Sequence, residues 1–283
     1  MLRKLLGIAP KLESDGSYSP SKIALKLATV DKTDYEEVAY RPADGSRRKI
    51  LVLATERKNM EMKNGKLFST GNHPVETLVP MLHLRNAGYE FEISTPSGKP
   101  AIIEMWAFPQ KDEHMSSIYT EYKEQFDHPT SLSDLVTSGL NNEDYAAVFV
   151  PGGHGAMLGL PEDQSVGTVL NWAHENDIFT ISICHGPAAF LSTHTNRSEF
   201  LYQGYKMAVF PDSVDDQSPM IGYLPGKVPW GLSEKLRGLS VILVNSKADK
   251  TVCRDRLLIT GASPLAANAL GKLAAETLTS TRA

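Results

Sequence analysis

Short unbroken apolar runs alternate along this chain with stretches whose apolar residues recur every three or four positions. KILVLAT (49–55) is a short run of β-formers, which predicts a strand covered on both faces. EFEISTP (90–96), AAVFVPGG (146–153) and IFTISIC (178–184) have the same character, and VILVN (241–245) and RLLITG (256–261) add later strands. Between them lie helical patterns. Pro74 to Ala87 predicts a helix with Pro74 in its first turn, Val75, Leu78, Val79 and Leu82 on one face, a bend at Pro80 and a stop at Gly88. A second helix begins at about Asp163 and carries Val166, Val169, Leu170 and Ala173 on one face. The last has Ser263 as N-cap and Pro264 as its first residue, with Ala266, Ala269, Leu270 and Leu273 along one face.

Strands that alternate with helices predict an α/β fold, a doubly wound parallel sheet with helices on both faces. Residues 48–96 and 146–283 form its core in this reading. Two segments fall outside the rhythm. Residues 1–47 are polar and turn-rich, which predicts an N-terminal arm. Residues 97–145, with MWAFPQKDEH and SIYTEYKEQF, predict an inserted cap that packs with that arm. Ligands of doubly wound sheets bind beyond the carboxyl ends of the strands, so the strand ends are the place to look for chemistry.

Composition narrows the setting. The 283 residues carry a formal net charge of −4 with both signs dispersed, which argues against a nucleic-acid or membrane surface. No apolar run approaches a bilayer span, and MLRKLLGIAPKLESDG reads as a surface segment. The two cysteines, Cys184 and Cys253, stand far apart and suggest a reducing compartment.

Cys184 follows one predicted strand directly, in ISICHGPAAF, and PGGHG follows another, so Cys184 and the backbone amides of Gly152 and Gly153 are expected at one sheet edge. A cysteine at a strand-to-helix junction is a candidate nucleophile, because a helix N-terminus favours the thiolate and free amides can hold an oxyanion. An inert buried thiol is the competing reading. His185 is a candidate base, although sequence neighbours usually point apart. Glu76, in the first turn of the Pro74 helix, either complements the helix dipole or faces the thiol, which would push it toward its protonated form. Asp215 in FPDSVDD is a candidate partner for His185. Cys253, with no turn signal around it, reads as structural.

The segments GKLFSTGNHPVET (65–77), VFVPGGHGAMLGLP (148–161), ISICHGPAAFL (181–191), FPDSVDDQSP (210–219), IGYLPG (221–226) and TGASPLAANALGKLAA (260–275) together resemble the HchA type of the PfpI/ThiJ superfamily, over about residues 49–280. The resemblance implies a flavodoxin-like fold, a Cys184-His185-Asp215 arrangement with Glu76 beside the thiol, and an oxyanion site near Gly153 and His185. It also implies glutathione-independent conversion of methylglyoxal to lactate, a related deglycase activity, and a cytoplasmic homodimer that holds unfolded clients. Members of this type carry a metal trio of two histidines and a glutamate. Here Glu90 remains while Arg85 and Tyr122 occupy the histidine positions, so no metal is expected, even with His73 and His83 nearby. The alternatives are a protein that is primarily a chaperone, or a cysteine peptidase or amidase restricted to small substrates.

Overall fold

The computed structural model describes residues 6–41, 49–194 and 199–280. The start of the basic N-terminal segment and the expected junction at 47/48 lie outside these residues. Numbered along the chain, β1 (Lys11–Leu12), β2 (Tyr18–Ser19), β4 (Met60–Glu61) and β5 (Leu67–Phe68) form a small sheet of order β1-β2-β5-β4. The main sheet, seven-stranded among the described residues, contains β3 (Lys49–Leu53), β6 (Glu90–Thr95), β7 (Thr130–Ser131), β8 (Tyr145–Val150), β9 (Phe179–Ile183), β12 (Val252–Asp255) and β13 (Leu258–Gly261). Its order is β12-β13-β9-β8-β3-β6-β7, parallel throughout except for the edge strand β12.

The apolar runs behave as strands buried on two faces must. Ile50 and Val52 enter one core cluster and Leu51 and Leu53 the other, and along β8 Ala147 and Phe149 oppose Val148 and Val150 in the same way. Helices Pro74–Asn86, Glu113–Asp127 and Ala267–Ser280 fill the first layer. Helices Gln164–Glu175 and Leu232–Gly238 and the 3₁₀ segment Gly186–His194 fill the second.

The Pro74–Asn86 helix was expected to bury one face, yet every residue from Pro74 to Leu84 is buried. It is flanked by the last helix and helix Glu113–Asp127, with Tyr40 of the arm bonded to His83, and a helix covered all round has no polar face to show. The last helix turns its contact face by about one residue relative to expectation. A 3₁₀ turn, Pro264–Ala266, precedes it, Ser263 accepts the Leu265 amide at 3.3 Å, and Ala267, Leu270, Gly271, Ala274 and Leu278 are buried while Ala269 and Leu273 are half-buried.

VILVN forms no strand of the main sheet. Its residues Ile242–Leu243 are β11, which pairs in parallel with β10 (Lys206–Met207) at the surface, with Ile242 51% exposed. The segment 97–145 divides between two roles. Met115, Ile118, Tyr122 and Phe126 of helix Glu113–Asp127 join the first core layer and β7 extends the sheet, while residues 101–104 run beside 70–72 near the strand ends. The arm contributes β1, β2 and helix Lys22–Ala28, the latter capped by the Ser21 hydroxyl.

Close packing between the first-layer helices rests on Gly271. A Cβ there would lie 2.6 Å from His83 Cδ2 and 3.0 Å from the Pro80 Cα. Gly271→Val is therefore expected to destabilise the fold by about 1–3 kcal/mol through overpacking. Glu276→Ala, at an exposed site of the same helix, should stay within about 0.5 kcal/mol of wild type. Urea unfolding of the two variants checks this, and equal midpoints would contradict the contact.

Candidate active site

The carboxyl ends of β8 and β9 and the start of helix Pro74–Asn86 converge on Cys184. This residue has φ +59°, in the left-handed region that a side chain with a Cβ rarely adopts. Two backbone bonds hold it there: its N–H donates to the Gly261 carbonyl at 2.8 Å, and its C=O accepts from Phe210 N–H at 3.0 Å. Strain pinned in this way is characteristic of functional turns.

That turn overrides the expectation that neighbouring side chains diverge, since Cys184 Sγ lies 3.3 Å from His185 Nδ1. A second expectation changes as well. The residues after Cys184 form 3₁₀ turns, Gly186–His194, where the sequence suggested an α-helix whose dipole would favour a thiolate. Instead, burial and the neighbouring Glu76 carboxyl push the thiol well up from its ordinary range, so the resting sulfur carries its proton.

Gly152 and Gly153 are both close to this group but differ in function. A side chain at Gly152 would collide with Glu76 Oε2 and come within 2.8 Å of Cys184 Cβ, so this glycine lets the loop pass directly behind the thiol. It does not line the cavity, contrary to a joint oxyanion role. Gly153, at φ +101°, does line it, and its amide faces Glu76.

Asp215, in the first turn of helix Asp212–Ile221, is buried and accepts two hydrogen bonds. His185 Nε2 donates to Oδ2 and His154 Nε2 donates to Oδ1, each at 2.8 Å. The two imidazoles are tilted against each other with centroids 4.0 Å apart. Burial alone would raise the Asp215 carboxyl, but electrostatic attraction to its two imidazole partners, His185 and His154, and their hydrogen bonds outweigh it and hold the group well below the usual carboxylate range. Burial and the nearby His154 lower His185, leaving a neutral ring whose Nδ1 lone pair faces the thiol. Burial works against a charge on His154 too, yet Asp215 and, more weakly, Glu104 raise it above the ordinary histidine value. One carboxylate therefore fixes the tautomer of one imidazole and favours a proton on the other.

Two further buried acids complete the floor. Glu76 is fully buried and pushed up to about 8, chiefly by burial, with the adjacent thiol opposing. Neither of its oxygens has a hydrogen-bond partner of ordinary geometry, the thiol included. Glu104, just before the 3₁₀ turn Met105–Ala107, is pushed up to about 7, again by burial. Burial pulls His73 down to about 3, so its ring is neutral, and its Nδ1 has no partner.

These groups face a cavity of about 290 Å³ with His73, Glu76, Glu104, His154, Cys184 and His185 on its polar side. Phe210, Val214, Ile221 and Tyr223 form apolar walls, and Leu27 from the arm and Leu265 from the last turn also line it. His154 and Glu104 were missed by sequence reasoning. His154 sits in the very PGGHG loop singled out for its glycines, whereas nothing in IIEMWAF marks Glu104.

His154, His185 and Asp215 are the one group of metal-type donors brought together among the described residues. Both Nε2 atoms, however, carry the protons that bond Asp215, which suits a proton relay better than a cation. At the expected trio, Arg85 is ion-paired with Glu121, and Tyr122 packs its ring edge-on against Phe91. His83 accepts from Tyr40 Oη at 2.7 Å and donates to Asn268 Oδ1 at 2.8 Å, so both ring nitrogens are engaged. These residues do not fit a metal. Cys253 lies on the antiparallel edge strand β12, away from the cavity.

The buried acids carry a stability signature. Each keeps its proton in the fold above pH 4.5, where the unfolded chain loses it, so the contribution is full at low pH and declines as pH rises toward 7 for Glu104 and 8 for Glu76. The slope is about 1.4 kcal/mol per pH unit for each group. Glu76→Gln should therefore flatten the fall in stability between about pH 5 and pH 8 and be more stable than wild type at the upper end. Urea unfolding across this range measures it, and parallel curves for the two proteins would contradict the assignment.

The DJ-1/PfpI family model matches residues 67–216. The chain is 46% identical over 265 residues to protein/nucleic acid deglycase HchA of Escherichia coli O157:H7, covering 94% of this chain and 93% of the relative. It is 45% identical over the same length to protein/nucleic acid deglycase 1 of Escherichia coli K12. Among solved structures, a Francisella tularensis rapid encystment protein superposes with TM-score 0.69 at 20% identity, covering 82% of this chain and 99% of the other. Glyoxalase III from Candida albicans superposes with TM-score 0.64 at 20% identity, covering 82% and 98%. With its family segment spanning the strands and loops that carry the thiol, the paired imidazoles and both buried acids, the chain belongs to the DJ-1/PfpI family.

Proposed function

We propose that this protein is a glutathione-independent glyoxalase that converts methylglyoxal to lactate, with related deglycase action on early adducts of such aldehydes. The observation that carries the reading is the placement of the buried Glu76 carboxyl next to Cys184, with His185 beside the thiol, inside a small cavity. The name of the deglycase relatives supports it.

Each group has a role in this chemistry. The reacting form has lost one of the two protons that Cys184 and Glu76 hold at rest, and the pair shares the one that remains, since two adjacent negative charges in a buried site exclude each other. With that proton on Glu76, the sulfur adds to the aldehyde carbon. Glu76 passes the proton to the new oxyanion beside the Gly153 amide, giving a hemithioacetal. The sulfur is now neutral, so the Glu76 carboxylate persists and takes the proton from the same carbon. The resulting enediolate accepts this proton at the second carbon while the hydroxyl proton of the first carbon passes to the second oxygen, and it becomes a thioester. Neutral His185, oriented by Asp215, activates the water that releases lactate and regenerates the thiol. Because Cys184 supplies the sulfur, the reaction needs no glutathione.

A cavity of this size disfavours long peptide substrates and hence the peptidase alternative. We further propose an additional role in holding unfolded clients, as a cytoplasmic homodimer, for which Leu12, Leu27 and Met220 offer exposed apolar side chains.

Lactate formation from methylglyoxal without glutathione is the direct test. Cys184→Ser should lower it at least about a thousandfold. Comparable rates for this variant and wild type would remove Cys184 as nucleophile. Glu76→Gln should lower turnover by about 10²–10⁴-fold. The same substitution removes the negative neighbour that raises the thiol, so alkylation of Cys184 by iodoacetamide should accelerate at a lower pH than in wild type. Slower alkylation at every pH would contradict the shared proton.

A further inference from the structure

Glu104 lines the same cavity as Cys184, yet the steps above make no use of it. Its setting is unusual for a structural carboxyl. Oε1 is fixed by the Thr70 hydroxyl at 2.5 Å and the Gly71 amide at 3.3 Å, while Oε2 is buried with no partner. Its backbone is held just as firmly: Glu104 N–H donates to Asn72 C=O at 3.0 Å, and Asn72 also binds the Ile102 carbonyl through its side chain at 2.8 Å. A carboxyl whose only role was to brace residues 70–72 would have no reason to keep its second oxygen free inside a reaction cavity.

We infer that Glu104 is a second catalytic acid, whose free Oε2 bonds the ketone oxygen of a 2-oxoaldehyde while Cys184 holds the neighbouring carbon. This role rests on the glyoxalase reading above and extends it to the half of the substrate that Cys184 and Glu76 leave unaddressed. As Glu76 takes the proton from the first carbon, the electron pair of that C–H bond forms the new C=C bond and the ketone π pair moves onto its oxygen. That oxygen takes the proton of Glu104 Oε2. When Glu76 returns its proton to the second carbon, the C=C pair forms the new C–H bond. The hydroxyl of the first carbon becomes the thioester carbonyl and passes its proton to Glu104 as the cycle closes, while the second carbon keeps its new hydroxyl. Both acids end as they began, and no oxidant or reductant is required.

The titratable groups around Glu104 suit this role. His154, which Asp215 holds toward its charged form, interacts favourably with the carboxylate left after the transfer. Glu76, at the start of its helix, and Tyr223, from the far wall, are coupled to Glu104 electrostatically, and neutral His73 lines the cavity with them. Burial keeps Glu104 able to exchange a proton near neutrality.

The test uses the full chain with methylglyoxal and compares wild type, Glu104→Gln and Thr70→Val. Gln retains an oxygen for Thr70 and Gly71 but has no acidic proton to give. For Glu104→Gln the expected result is a fall in kcat of about 10²-fold or more, an unchanged KM and loss of the kcat limb near pH 7. Iodoacetamide should alkylate Cys184 at the wild-type rate, which shows the thiol environment to be intact. Thr70→Val, which frees Oε1, should give a smaller fall in kcat and keep the limb. Wild-type kcat and pH profile in Glu104→Gln would overturn the role. A parallel loss of alkylation would also overturn it, by making Glu104 a structural prop. A wild type that makes no lactate would sink the glyoxalase reading and this role together, whereas an active wild type matched by Glu104→Gln would sink this role alone.

Discussion

The left-handed backbone at Cys184 is the constraint on which the floor of the cavity depends. A cysteine gains nothing locally from φ +59°, and the conformation survives because Gly261 and Phe210 grip its peptide groups from two sides. With an ordinary backbone the thiol and the imidazole of His185 would leave the chain in different directions. With the turn in place they meet, and the sulfur also falls against Glu76 from another element. Gly152 makes this approach feasible, because any side chain there would occupy the space of the Glu76 carboxyl.

Around that turn, charge is distributed economically. A single carboxylate, Asp215, serves two imidazoles, and it is the only acid of the floor held ionised. The other two acids are kept neutral by the same burial that would make a lone charge expensive. The resting site thus holds one anion with its two histidine partners, plus a set of neutral groups within reach of a proton.

Much of the architecture was legible in the sequence because it follows local rules. The apolar runs 49–55, 146–150 and 179–183 alternate between two cores, and Cys184 and PGG sit directly beyond two of them. Glu76 was legible as a first-turn acid, but its contact with the thiol depends on where the helix starts relative to β9. What escaped was decided by tertiary context. VILVN is as apolar as the buried strands, yet it lies on the surface. Met115, Ile118, Tyr122 and Phe126 do repeat at helical spacing, though the charges between them obscured the pattern. The orientation of His185 depended on the sign of one dihedral angle, which no non-glycine residue announces. Glu104 is buried only because residues 101–104 run beside 70–72, a pairing with no periodicity of its own.

The bond from Cys184 N–H to the Gly261 carbonyl has a further consequence for the order of events during synthesis. Cys184 emerges from the ribosome well before Gly261, and the arm that supplies Leu27 emerges long before either. Until β13 docks beside β9, the grip on the cysteine is incomplete and the cavity lacks the wall that Leu265 provides. A partly made chain therefore lacks one of the two backbone bonds that hold Cys184 in its turn, and the full arrangement arises only when nearly the whole polypeptide is in hand.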